Sequence, residues 1–144
     1  MLVQKSALVP FSAKMMYDLV CDIEAYREFL PWCRDSRVDE THDDGVTASV
    51  EIARSGVSKW FTTRNTVIDG KRVQLDLVEG PFRQLHGVWV FHRLDDNACK
   101  IELEMEFEFS NRLVELAFGA IFSQVVNLLI DSFCKRAKVV YARS

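Results

Sequence analysis

The run Lys100 to Phe109 places Glu102, Glu104, Glu106 and Glu108 at every second position. Paired carboxylates can do acid and base work when their surroundings push their pKa values apart. Strict alternation puts all four on one side of a strand, with Ile101, Leu103, Met105, Phe107 and Phe109 on the other. They read as a solvated face. His42, His86 and His92 are scattered, and no cysteine or carboxylate completes a metal set with them, so no metal site is expected. Cys21, Cys33, Cys99 and Cys134 form no C-x-x-C pair and read as reduced, mostly buried thiols. Neither a G-x-S-x-G nucleophile turn nor a G-x-x-x-x-G-K phosphate loop occurs. No catalytic residue is assigned, and a binding protein rather than an enzyme is expected.

A second constellation is "RSGVSKWFTTRN", where Arg54, Lys59 and Arg64 alternate with Trp60 and Phe61. Stacking rings beside phosphate-seeking cations suit RNA; an ordinary hairpin with surface cations carries the same residues. The formal charge of -3 argues against broad, charge-driven nucleic-acid binding, DNA included, so any RNA contact is a local patch around Arg54, Lys59, Trp60 and Arg64. Lys135, Arg136, Lys138 and Arg143 near the chain's end complement a helix dipole.

The largest signal is apolar. "REFLPWCRD" concentrates Phe29, Leu30 and Trp32 around Pro31, and Phe61, Phe82, Trp89, Phe107, Phe109 and Phe118 add further rings. Core packing uses such residues, and so does the wall of a cavity for an apolar ligand.

The elements that must position these residues follow from patterning. With 49% apolar residues in 144, one domain spanning the whole chain can bury its own core. Residues 2 to 9 read as a strand stopped by Pro10. Ser12 can cap a helix carrying Met15, Met16, Leu19, Val20 and Ile23. Asp22 can cap a second, shorter helix with Tyr26 and Phe29, which Pro31 ends because a residue before proline is pushed out of the helical region. Turn signals at Asp43-Asp44-Gly45, Ser55-Gly56, Asp69-Gly70, Gly80-Pro81 and Asp95-Asp96-Asn97 then separate six strands. In "RQLHGVWVFHRL" the apolar face is Leu85, Gly87, Trp89 and Phe91, and Gly87 allows a bend.

Ser110 and Asn111 open a helix running to about Tyr141, roughly 45 Å long. Its apolar face is expected at Val114, Phe118, Ile121, Val125 and Leu128, although its first half is apolar nearly all round. The run Leu116 to Ile130 is shorter than the roughly 20 residues a bilayer requires and holds Ser123, Gln124 and Asn127, so it reads as a buried helix. Lys5 and Lys14 interrupt the apolar N-terminal residues, and a cytoplasmic protein is expected. The whole is an α+β fold: a curled seven-stranded antiparallel sheet wrapped around a long C-terminal helix, with two short helices after the first strand.

Four strings carry a resemblance: "LVPFSAKMMYDLVCDIEAYREFLPWC", "FTTRN", "GPFRQLHGVWVF" and "FEFSNRLVELAFGAIF". Across its whole length the chain resembles the START-like helix-grip (SRPBCC, polyketide cyclase-like) superfamily, in the branch of coenzyme Q-binding proteins and RatA-type ribosome association toxins. That branch often carries proline after the tyrosine, where this chain has Arg27. The resemblance implies binding of a hydrophobic ligand, an isoprenoid quinone such as ubiquinone, without chemistry, in support of respiration. No other cofactor is implied, and membrane contact is at most peripheral. It also implies association with the large ribosomal subunit, blocking subunit joining, together with a small antitoxin partner. A cyclase-like enzyme is a third implication. The expected cavity is closed at the corner by Phe29, Leu30 and Trp32, and walled on the sheet by Phe61, Leu77, Trp89, Phe107 and Phe109. Val114, Phe118 and Ile121 face it from the helix.

Overall fold

In a computed structural model describing residues 1–141, one antiparallel sheet holds seven strands: β1 (Leu2–Val9), β2 (Cys33–His42), β3 (Gly45–Arg54), β4 (Val57–Ile68), β5 (Arg72–Glu79), β6 (Phe82–Asp95) and β7 (Ala98–Phe109). The order β1-β7-β6-β5-β4-β3-β2 makes strands two to seven a continuous meander, with β1 added beside β7. The sheet is not closed, and register breaks at Cys33/Asp35, Val38/Glu40 and Thr62/Thr63 add local bends.

Alternation decides which face is dry. Ile101, Leu103, Met105 and Phe107 are buried on β7, and Leu85, Gly87, Trp89 and Phe91 on β6. The glutamates lie opposite, pairing across the ladder with Gln84, His86, Val88 and Val90. Gly87 provides space: a Cβ there would stand 2.8 Å from Met105 Sδ and 3.2 Å from Leu75 Cδ1, so both side chains fill the gap over its backbone.

Helix α1 (Ala13–Cys21) is capped by Ser12, whose hydroxyl accepts from the Met15 N–H at 3.1 Å. A 3-10 turn (Ile23–Ala25) leads into α2 (Tyr26–Phe29). The expected Asp22 cap is absent there: its side chain makes no capping bond, and its N–H instead closes α1 onto Asp18 and Leu19.

Helix α3 (Arg112–Tyr141) is capped by Asn111, whose Oδ1 accepts from the Val114 N–H at 2.9 Å. Its buried face is displaced from the one expected from the sequence, sharing Phe118 and Val125 with it. Phe118, Phe122, Val125, Val126, Ile130, Phe133 and Ala137 face the sheet, while Leu128 is exposed and Val114 and Ile121 are half-buried. The first half is apolar all round and fixes no rotation; the second half, with Asp131, Lys135 and Lys138 outside, does. By length and composition α3 could cross a bilayer, yet here the sheet packs along it. Arg143 lies outside the described residues.

Candidate functional site

The corner after α2 is built by short-range backbone bonds. Leu30 leaves the helix at φ -93° and ψ 108°, its N–H still bonding Tyr26 O at 2.9 Å, and Cys33 N–H bonds Leu30 O at 2.9 Å. Trp32 O accepts from Ala53 N–H at 2.9 Å, which stitches the corner to the end of β3. Outside, Arg27 bridges to Asp35 at 2.8 Å. That bond, with the Ser36 N–H, holds the Asp35 carboxyl below its ordinary pKa.

Aromatic rings hold the corner to α3. The Phe133 ring, fully buried, meets Tyr26, Phe29 and Trp89 edge-on, each at 5.4 Å between centroids. One turn on, the Arg136 guanidinium covers the Phe29 ring at 5.0 Å. The Tyr26 hydroxyl donates to Val20 O, and burial raises its pKa.

Beside this clamp lies a cavity of about 80 Å³ between the sheet and the middle of α3, from Phe122 to Phe133. Trp32 and Tyr26 close it at the corner, Ile52, Phe61, Leu75, Trp89 and Met105 are on the sheet side, and Phe122, Val126, Leu129 and Phe133 are on the helix. Among the described residues that line it none is charged, and its polar groups are few: Tyr26, Trp32, Thr63, Asn65 and the Trp89 indole. Thr63 and Asn65 point inward because they alternate with Thr62, Arg64 and Thr66 on β4, and they bond each other, Thr63 Oγ1 donating to Asn65 Oδ1 at 2.7 Å.

Of the eleven residues expected around a cavity, Trp32, Phe61 and Trp89 are on its wall. The structure places the other eight elsewhere. Leu30 is buried beneath the corner and Phe29 packs on Phe133. Phe107, Phe109 and Phe118 join Phe82 and Phe122 in a packed aromatic cluster, the Phe107 and Phe118 rings fully buried. Leu77, Val114 and Ile121 pack at the edge of the core. The first turns of α3, around Phe118, are thus filled solidly, and the open space lies against its middle, from Phe122 to Phe133. Thr63 and Asn65 were legible as two inward polar positions in "FTTRN"; Val126, Leu129 and Phe133 were hidden by the displaced helix face, whereas Val125 lay on the expected one.

The basic residues sit at the other side of the β3–β4 hairpin. Arg54, Lys59 and Trp60 are exposed, and the Arg37 guanidinium, which the sequence did not flag, stacks on Trp60 at 4.7 Å. Arg64 is bound to Asp44 at 2.7 Å, which separates it from this group. Acidic neighbours are paired: Asp39 to Arg37 at 2.7 Å and Glu51 to Arg34 at 3.6 Å. Glu104, Glu106 and Glu108 are exposed and Glu102 is half-buried, bonding His92 at 3.2 Å and Lys100 at 3.1 Å. His86 bonds Asp76 at 2.7 Å, and His42 bonds Thr47 at 2.8 Å. Among the described residues no three metal-ligating side chains are grouped to hold an ion. Cys33 and Cys99 are buried, which pushes each thiol up to about 11.

A curved antiparallel sheet gripping a C-terminal helix around an apolar cavity defines a protein of the START-like helix-grip class. Solved structures agree: the Zhui aromatase/cyclase of a Streptomyces species has a TM-score of 0.86 at 13% identity, covering 100% of this chain and 98% of that one. A START superfamily protein from Mycobacterium smegmatis has a TM-score of 0.82 at 17% identity, over 96% and 98%. The chain belongs to the family described as polyketide cyclase / dehydrase and lipid transport, which matches residues 9–134. Within that family it is similar to the ribosome association toxin RatA of Vibrio cholerae, 48% identical over 96% of both chains, and to that of Escherichia coli, 44% identical over 97% of this chain and 89% of the other. It is also similar to the mitochondrial coenzyme Q-binding protein COQ10 homolog B of Xenopus laevis, 29% identical over 96% of this chain and 59% of the other.

Proposed function

We propose that this chain is a cytoplasmic ribosome association factor that binds the large ribosomal subunit and hinders its joining to the small one. The reading is carried by 48% identity along 96% of both chains to a relative named for that association. The exposed group Arg37, Arg54, Lys59 and Trp60 supplies cations and a stacking ring suited to RNA. Sucrose-gradient profiles of ribosomes with added protein test it: joined ribosomes should fall, and Arg37→Glu with Lys59→Glu should weaken the effect. An unchanged profile at saturating protein refutes it.

A second reading, favoured by the cavity, is that the chain also binds an apolar small molecule, an isoprenoid quinone being the candidate from the coenzyme Q-binding relative. A cavity of about 80 Å³ is smaller than the ~150 Å³ that holds benzene in an engineered core, so such a ligand requires the corner to move. Neither function needs catalysis. The lining holds no carboxylate, histidine, lysine or cysteine, the Tyr26 hydroxyl is given to Val20 and that of Thr63 to Asn65, which leaves no group poised for proton transfer near neutral pH. Recovery of a quinone or lipid by mass spectrometry of protein purified from its own cells tests the second reading; consistently empty protein that also fails to bind on titration refutes it.

A further inference from the structure

Side-chain N–H donors of Trp32, Asn65 and Trp89 reach the cavity without a hydrogen bond among the described residues. Trp32 is 4% exposed and lines the space, and its indole Nε1 has no partner among the described residues. Asn65 is 6% exposed and lines it too; the Thr63 hydroxyl on Oδ1 fixes the orientation of its amide, and Nδ2 has no partner among the described residues. These two stand near opposite ends of β3, Trp32 beside Ala53 and Asn65 across from Val46, so each meets a different part of any occupant.

Both hydroxyl protons of the lining are already given away, that of Tyr26 to Val20 O and that of Thr63 to Asn65 Oδ1. What the lining offers is therefore N–H donors that lack acceptors, and no charge. A hydrocarbon would leave these donors unpaired, which is unfavourable in a buried site. A carboxylate or phosphate would surrender its hydration and find no cation among the lining residues. We propose that the cavity selects neutral apolar molecules bearing carbonyl-type oxygens, with Trp32 Nε1 and Asn65 Nδ2 as the selecting donors. This rests on the cavity being a ligand site, and it adds which chemistry that site admits and which residues decide.

Acetophenone, ethylbenzene and benzoate form a test set of similar shape: carbonyl, methylene and carboxylate on one ring. An apolar cavity with no donor prefers ethylbenzene, because the carbonyl gives up its water for nothing. Titrations of the full chain, labelled with ¹⁵N at its three tryptophans, report each dissociation constant and the state of the indole N–H. Acetophenone should bind about tenfold more tightly than ethylbenzene. The preference should vanish in Trp32→Phe, which keeps a ring, or in Asn65→Leu, which keeps the volume; the variant that removes it names the donor used. If Trp32 is that donor, its indole signal in the unmodified protein moves downfield with acetophenone and stays put with ethylbenzene, a readout that needs no variant to fold. Benzoate should not bind. Equal binding of acetophenone and ethylbenzene, a preference unaltered in both variants, or tighter binding of benzoate overturns the selection rule while leaving the cavity a ligand site. Failure of all three to bind at their solubility limits overturns both.

Discussion

Phe29→Ala tests how the corner is held. Phe29 is half-buried and loses two ring contacts on truncation, to Phe133 at 5.4 Å and to Tyr26 at 6.2 Å, together with the Arg136 guanidinium at 5.0 Å. Full burial of a phenylalanine costs about 3–5 kcal/mol to remove; half-burial scales this to roughly 2 kcal/mol, of which the edge-to-face pair with Phe133 is about 0.5–1.5 kcal/mol. Phe133→Ala, at a fully buried site, should cost about 3–5 kcal/mol. Because the two rings touch, the double variant should cost less than the two single costs together by about 1 kcal/mol. Urea unfolding of the four proteins measures this, provided the slopes stay equal so that the unfolded states are comparable. The corner must also move to admit a ligand larger than benzene, so stopped-flow binding of such a ligand should be faster in Phe29→Ala. A coupling below about 0.3 kcal/mol, or an unchanged association rate, would refute the idea that α3 latches the corner.

Gly87→Ala should drive Met105 into the cavity, because the new Cβ would stand 2.8 Å from its sulfur; the expected cost is about 1–3 kcal/mol by thermal or urea unfolding, with weaker binding of every cavity ligand. Cys33 and Cys99, raised to about 11 by burial, should resist iodoacetamide at neutral pH in the native state and react once unfolded, as peptide mapping would report. The same shift has a sign: the unfolded thiols lose protons near their ordinary pKa, about 8.5, before the folded ones do. Stability present below that pH should therefore fall as pH rises towards about 11, measurable by urea titration at several alkaline pH values. At the acid end, Asp39 is held down by the Ser49 hydroxyl and then by Arg37. Its contribution should be present above about pH 4 and lost below it, and Ser49→Ala should flatten that loss.

The sheet was legible because period-two alternation is strict where one face is wet: Glu102 to Glu108 fixed the register of β7, and the inward set on β6 followed from it. The corner was legible because Pro31 excludes helix at Leu30. Helix α3 was harder. Leu113, Leu116, Ala117 and Ala120 are exposed, so an apolar residue in the first half carried no information about rotation, and the expected face came out displaced. That displacement moved the anticipated cavity towards Phe118, where the rings of Phe82, Phe109 and Phe122 leave no room. Arg37 was missed for another reason: its stacking on Trp60 joins strands β2 and β4 across β3, a neighbour relation that no sequence spacing displays.

A solidly packed start and a hollow middle of α3 give the molecule two kinds of stiffness. Around Phe118 and Phe122, six rings interlock with the sheet, and any displacement there breaks many contacts at once. Around Phe133 the helix touches the corner through single layers of ring, with a void behind them. A close-packed interior resists deformation, whereas a region with an internal void has fewer contacts to lose. Opening for a ligand is therefore cheapest where Tyr26 and Phe29 meet α3 at Phe133, and the turns around Phe118 act as the fixed end. The backbone of Trp32 is tied to Ala53 at the end of β3, one residue from Arg54. A ligand that shifts Trp32 thus pulls on the same hairpin that carries Arg54, Lys59 and Trp60, which places the cavity and the proposed RNA-facing surface on one mechanical element.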